Sequence, residues 1–247
     1  CSMGLDGSDL SCVNISTMRY DFSWSPDGAW YLYYPEVDYT SHDIYRVRTD
    51  GSDRMALTSY DSGECGNATW SPDGSMIAYT HFETYDQPGT IWTMDADGGN
   101  PQQLFDQARP YGDIAWSPDG ENLAVAGYTD HDTGDGPGGV WILPVDGSEP
   151  WVITGTETLP CYDVTWSPTG EGWPLYFYGY PEHGQAGTWW TMPGWDAPRY
   201  FAGVYWGPLW SLGNDPWVAF GYGGHYSDPG QYSDALFFSL EPSWWEE

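Results

Sequence analysis

The pentapeptide Trp-Ser-Pro-Asp-Gly occurs three times, at Trp24–Gly28, Trp70–Gly74 and Trp116–Gly120, and a fourth copy with Thr in place of Asp runs from Trp166 to Gly170. A degenerate fifth copy, Trp-Ser-Leu-Gly-Asn, starts at Trp210. The Trp-to-Trp spacings are 46, 46, 50 and 44 residues. A period of this size matches one four-stranded propeller blade, a unit that buries its apolar faces only by stacking on its neighbours. Five repeats therefore predict an all-β fold, a five-bladed β-propeller with four antiparallel strands per blade.

The second repeat serves as the pattern. Residues 65–70 (CGNATW) alternate into a first strand, followed by a Ser-Pro-Asp-Gly turn in which Pro is preset at the second position and Gly can take positive φ. Residues 76–80 (MIAYT) give the second strand and 90–94 (TIWTM) the third, after which Asp95-Ala96-Asp97-Gly98 turns the chain into an outer strand at 102–105. Ile44-Tyr45, Val140-Trp141, Trp189-Trp190 and Leu236-Phe237 occupy the third strands of the other blades. The blades are expected at about 19–58, 65–105, 111–153, 161–201 and 204–240, with a tail at 241–247.

After its third strand, at 235–240, the last repeat lacks a fourth, and the missing piece stands at the other end of the sequence. Asp6-Gly7-Ser8-Asp9-Leu10 matches Asp50-Gly51-Ser52-Asp53-Arg54, so residues 9–15 are expected to supply the outer strand of the last blade. That pairing removes an open sheet edge and makes residues 1–247 one closed domain.

Tandem WSPDG copies joined to a D-x-D-G turn resemble the TolB-type propeller repeat, and they are similar to blades in the propeller domains of prolyl-oligopeptidase-like enzymes. The resemblance covers nearly the whole chain. It implies a partner-binding scaffold rather than a chemistry, because the motif residues are turn formers. Five blades depart from the six of TolB itself.

Charge narrows the partners. Thirty-six acidic residues face six Arg and no Lys, a net charge of −30, which excludes nucleic acid and opposes unassisted contact with anionic lipid. No run approaches the roughly 18 apolar residues of a transmembrane helix. The sequence begins at Cys1, as a processed lipoprotein does, so Cys1 is the expected lipid anchor of an exported, cell-surface or extracellular protein; alternatively Cys1 and Cys12 each enter a disulfide, the four Cys allowing three pairings. Two sequons, at Asn14 and Asn67, fit export.

Three residues before each repeat Trp stand Asp21, Asn67, Asp113, Asp163 and Gly207, on the innermost strands beside the expected channel. Converging carboxylates there would suit a hard cation, and five-bladed glycosidases place catalytic carboxylates on inner strands. Residues that recur at one repeat position are more simply explained by the repeat, as acceptors of local backbone hydrogen bonds, and no Ser-His-Asp or Cys-His motif adds an enzyme signature. No catalytic residue is assigned.

The five His residues, His42, His81, His131, His183 and His225, fall in the connections between second and third strands, each with acidic neighbours. These loops share the face opposite the WSPDG turns, and His42, His131 and His183 are candidate partner contacts there. Asp130, Asp132 and Asp135, closely spaced around glycines, are the candidate Ca²⁺ ligands, although no cofactor is required. Trp244 and Trp245, beyond the last strand and beside Glu246 and Glu247, are candidate contacts for another molecule. Binding without catalysis is the expected function, to a protein partner or to copies of the chain itself, with a glycan-binding module or a glycosidase as the alternatives.

Overall fold

The computed structural model describes residues 23–35, 41–60, 63–84, 89–108, 114–127, 138–157, 159–167, 174–179, 186–192, 194–202, 209–210, 217–223 and 232–239. Every regular element among them is a strand. They fall into two compact units, Cys1–Arg109 with Val145–Gly147, and Pro110–Pro144 with Ser148–Glu247.

In the first unit, β1 (Ser23–Trp24), β2 (Trp30–Tyr33), β4 (Tyr45–Arg48) and β5 (Met55–Ala56) form a four-stranded sheet in that order. β6 (Gly63–Trp70), β7 (Met76–Phe82), β8 (Gly89–Asp95) and β9 (Gln102–Ala108) form the next, and β3 (Ser41–His42) adds to its inner edge. All pairings are antiparallel except β3 on β6, which is parallel. The sheets bury one core between them: Leu32, Tyr34 and Ile44 from the first meet Cys65, Ile77, Tyr79 and Met94 from the second. Burial of such side chains contributes about 1.5–3 kcal/mol each. Within the first sheet the Thr58 hydroxyl accepts the Ile44 amide at 2.9 Å and donates to Asp43 at 2.8 Å, and across the seam it accepts the Cys65 thiol at 3.9 Å.

The second unit repeats the plan. β10 (Ile114–Trp116), β11 (Asn122–Gly127), β12 (Gly139–Pro144) and β13 (Trp151–Val152) form one four-stranded sheet, and β14 (Cys161–Trp166), β15 (Leu175–Gly179), β16 (Gly187–Thr191) and β17 (Arg199–Ala202) another. β18 (Leu209–Trp210), β19 (Trp217–Gly223) and β20 (Tyr232–Ser239) give a sheet with three strands among the described residues. Ala124, Ala126, Val140 and Ile142 pack against Cys161, Val164, Trp166, Leu175 and Phe177. Trp166 ties this seam by donating its indole N–H to the Ala115 carbonyl at 3.1 Å. Thr156 repeats the part of Thr58, accepting the Val140 amide at 2.9 Å.

Apart from β3, each of these sheets is a meander in chain order, as the repeat requires: each strand pairs antiparallel with the one that precedes it in its sheet. The expected closing strand at 9–15 lies outside the described residues.

Candidate functional site

Asn67 and Asp163, the described members of the inner-strand set, both take left-handed backbone, with φ of 50° and 48°. The ladder slips at each. Gly66 pairs with Thr80 and Thr69 with Ala78, while Tyr162 pairs with Tyr178 and Thr165 with Tyr176, so two residues oppose one. This is a β-bulge, and its first residue must accept positive φ, which Asp, Asn and Gly tolerate better than other residues. Asp, Asn and Gly are the residue types of the whole set, Gly207 included. Backbone geometry thus gives a physical reason for the recurrence; Asp21 and Asp113 lie outside the described residues.

The two sites then differ. At Asn67 the amide that follows is taken up by the neighbouring sheet: Ala68 N–H donates to the Tyr34 hydroxyl at 2.8 Å. The Asn67 sequon therefore sits within β6, with Ala68 buried beside it, rather than on a surface loop. Asp163 is half-buried, and burial pushes its carboxyl above the usual carboxylate range. Among the described residues no hydrogen bond offsets that burial.

The WSPDG residues close their own turns. Ser25, Ser71 and Ser117 donate through Oγ to Asp27, Asp73 and Asp119 at 2.5, 2.6 and 2.5 Å. The same hydroxyls accept the amides of Trp30, Met76 and Asn122, each at 2.9 Å. Gly28, Gly74 and Gly120 take φ of 68°, 72° and 74°, a region open to residues without Cβ. The Ser25 and Ser71 hydroxyl bonds hold Asp27 and Asp73 below the ordinary carboxylate range, and Ser52 does the same for Asp50 in the following turn. In the fourth copy Ser167 N–H reaches the Pro174 carbonyl at 2.7 Å, a turn two residues longer than the Ser25–Trp30 and Ser71–Met76 equivalents.

Several candidates lie outside the described residues: Asp130, Asp132 and Asp135, His131 and His183, Trp244 and Trp245, Cys1, Cys12 and Asn14. His42 is described by its backbone, which pairs with Glu64 across β3 and β6. His81 corrects the loop assignment: it lies within β7, directly opposite Cys65, and its ring stacks on Tyr60 at 3.9 Å. The Tyr60 and Tyr79 hydroxyls share a hydrogen bond at 3.1 Å beside it. Only strand register brings Cys65 and His81 together, so no sequence spacing could have signalled the pair. Cys65 and Cys161 are buried thiols not joined in a disulfide, and burial pushes the Cys161 thiol up.

Register also sorts the aromatics. Tyr45, Trp92, Trp141 and Trp189 stand opposite Tyr33, Tyr79, Val125 and Phe177, which makes them equivalent. Trp190 falls instead at the position of Arg46, Thr93 and Ile142. Trp189 keeps its indole N–H buried without a hydrogen-bond partner among the described residues, and a Cβ at Gly179 would meet its ring at 3.0 Å. Arg46 and Arg48 stack on Trp30 at 4.6 and 4.3 Å, and Arg46 also donates to the Ala96 carbonyl at 2.6 Å. On the fourth sheet Arg199 stacks on Trp195 at 4.5 Å.

No family model matches the chain. It is 32% identical over 114 residues to an uncharacterized protein of Agrobacterium fabrum, covering 41% of this chain and 37% of that one. It is 31% identical over 90 residues to the Tol-Pal system protein TolB of Alcanivorax borkumensis, covering 36% of this chain and 19% of that protein. An uncharacterized peptidase of Bacillus subtilis is 32% identical over 114 residues, covering 42% of this chain and 16% of the peptidase. The chain thus spans well under half the length of these relatives.

Two solved structures share the fold over most of the chain. TolB from Acinetobacter baumannii superposes with a TM-score of 0.59 at 16% identity, covering 89% of this chain and 56% of that one. An oligogalacturonate lyase in complex with manganese gives 0.61 at 15% identity, covering 94% and 64%. A Tol-Pal system protein, an uncharacterized peptidase and an oligogalacturonate lyase are thus among the proteins this chain resembles, and a shared fold does not by itself fix a chemistry. In repeat motif and in sheet topology, the chain is a TolB-like β-propeller.

Proposed function

We propose that the chain is an exported, five-bladed propeller that works by binding protein, with association between copies as its specific form. The observation that carries this reading is the structural use of the recurring polar residues. The Ser and Asp of each described WSPDG copy close a turn, and Asn67 and Asp163 make bulges. The parts that repeat serve the fold, which leaves the non-repeating surface for partners. Residues 9–15, which follow a copy of the turn that precedes an outer strand, are the proposed fourth strand of the β18–β20 sheet. Likeness to a Tol-Pal system protein supports an envelope setting, and Cys1 is the proposed tether. Asp130, Asp132 and Asp135 are the proposed Ca²⁺ ligands.

The mass of the purified chain across a concentration series, by sedimentation velocity, tests the reading. A concentration-dependent assembly supports it. A discrete monomer at every concentration counts against association.

A second reading rests on exposed aromatics. Trp24, Trp151 and Tyr200 are 41%, 44% and 37% exposed. Flat rings of this kind suit sugar faces, and a lyase of a sugar polymer shares the fold. Calorimetric titration with acidic and neutral oligosaccharides separates this reading from the first.

A further inference from the structure

We infer that the Arg199–Trp195–Trp190 stack is the docking point for the Trp244-Trp245-Glu246-Glu247 segment of a second copy. The inference rests on the self-association reading and names the surface through which it acts.

The argument begins with charge. Two copies at −30 repel, so contact between them must run through the few cationic points. From residue 110 to 247, Arg199 is the sole Lys or Arg in the sequence. The other described arginines are engaged: Arg48 pairs with Asp53 at 2.6 Å, Arg46 donates to the Ala96 carbonyl, and Arg54 has an interaction of its own. Arg199 is exposed, and among the described residues no carboxylate pairs with it.

Its surroundings are aromatic. Arg199 stands opposite Trp190 in the β16–β17 ladder, and its guanidinium lies 4.5 Å from the Trp195 ring and 5.9 Å from Trp190. The two indoles meet edge-on at 4.6 Å, and Tyr176 stacks on Trp190 at 6.4 Å. This packing holds the guanidinium beside the Trp195 ring. Exposed and unpaired among the described residues, it can take a carboxylate, which Arg binds through two parallel bonds. An exposed cation held on indoles fits a partner that brings carboxylates and flat apolar surface together. The segment Trp244-Trp245-Glu246-Glu247 brings both within four residues.

The test has two arms. A fluorescein-labelled peptide of residues 241–247 is titrated with the full chain and followed by anisotropy. The peptide should bind, and binding should weaken between about 0.05 and 0.5 M NaCl. Arg199→Gln should weaken it by roughly 10-fold or more, with Arg199→Lys between the two. The second arm sediments the full chain. Glu246→Lys with Glu247→Lys should reduce assembly, and adding Arg199→Glu should restore it. An unchanged melting curve certifies that each variant is folded.

Absence of peptide binding, equal binding by Arg199→Gln, or failure of the charge swap to restore assembly overturns the proposal. Assembly that persists in both single-sided variants leaves the self-association reading standing and removes this docking point. Peptide binding by a chain that stays monomeric overturns the second-copy occupant. Displacement of the peptide by an acidic oligosaccharide that binds more tightly assigns the site to a glycan and overturns the proposal as well.

Discussion

Replacing Asp163 separates backbone geometry from carboxylate chemistry. At φ 48° an L-residue with an ordinary side chain pays about 1–2 kcal/mol, a penalty that Asn and Gly largely escape. Asp163→Ala should therefore be about 1–2 kcal/mol less stable than Asp163→Asn, a difference of about 2–8 °C in melting temperature for a chain of this length. Asp163→Gly should lie near Asn, since its freedom at positive φ offsets its entropy cost of about 0.5–1 kcal/mol. The charge adds a pH signature. Burial raises the folded pKa of Asp163, so the carboxylate opposes folding above that value. Asp163→Asn should gain on the natural protein as pH rises from about 4, and the gain should level off once the folded group is ionised. Thermal denaturation of the four proteins from pH 4 to 8 reads both effects. Equal stability of the Ala and Gly variants would show that the bulge does not constrain this position. A loss in Asp163→Asn as large as in Asp163→Ala would show that the carboxylate itself is needed, as a ligand or catalytic group would be.

Three further outcomes are expected. Trp166→Phe removes the bond to Ala115 and should cost about 1 kcal/mol, whereas Trp189→Phe removes a buried, unpaired N–H and should be neutral or stabilising; urea midpoints compare them, and the reverse order would contradict the seam described for Trp166. Asp27, Asp50 and Asp73 have depressed folded pKa values, so their stabilisation is present above the unfolded value and is lost as pH falls below about 4 through the folded values. Asp73→Asn should shrink that acid limb in a circular-dichroism titration. Deleting residues 1–15 should lower the melting temperature sharply by leaving the β20 edge unpaired, and an unchanged curve would remove the closure.

Much of the fold is legible in the sequence because it is local. Pro and Gly fix the WSPDG turn within five residues, so the repeat period and strand order follow from the chain itself. Strands expected at 65–70, 76–80, 90–94 and 102–105 appear as Gly63–Trp70, Met76–Phe82, Gly89–Asp95 and Gln102–Ala108, longer at their ends. Strand ends depend on neighbours that turn chemistry does not specify.

What the tertiary structure alone decided is register and stacking. A slip of one residue in the ladder put Asn67 and Asp163, the two described members of the inner-strand set, at β-bulges. Register also moved Trp190 onto the position of Arg46 and set His81 opposite Cys65. The seams set Trp166 against a carbonyl and left Trp189 without one among the described residues. These outcomes depend on partners a hairpin or a whole blade away. A sequence carries turn propensity residue by residue, but which face of a strand meets which neighbour exists only once the sheets pair and stack.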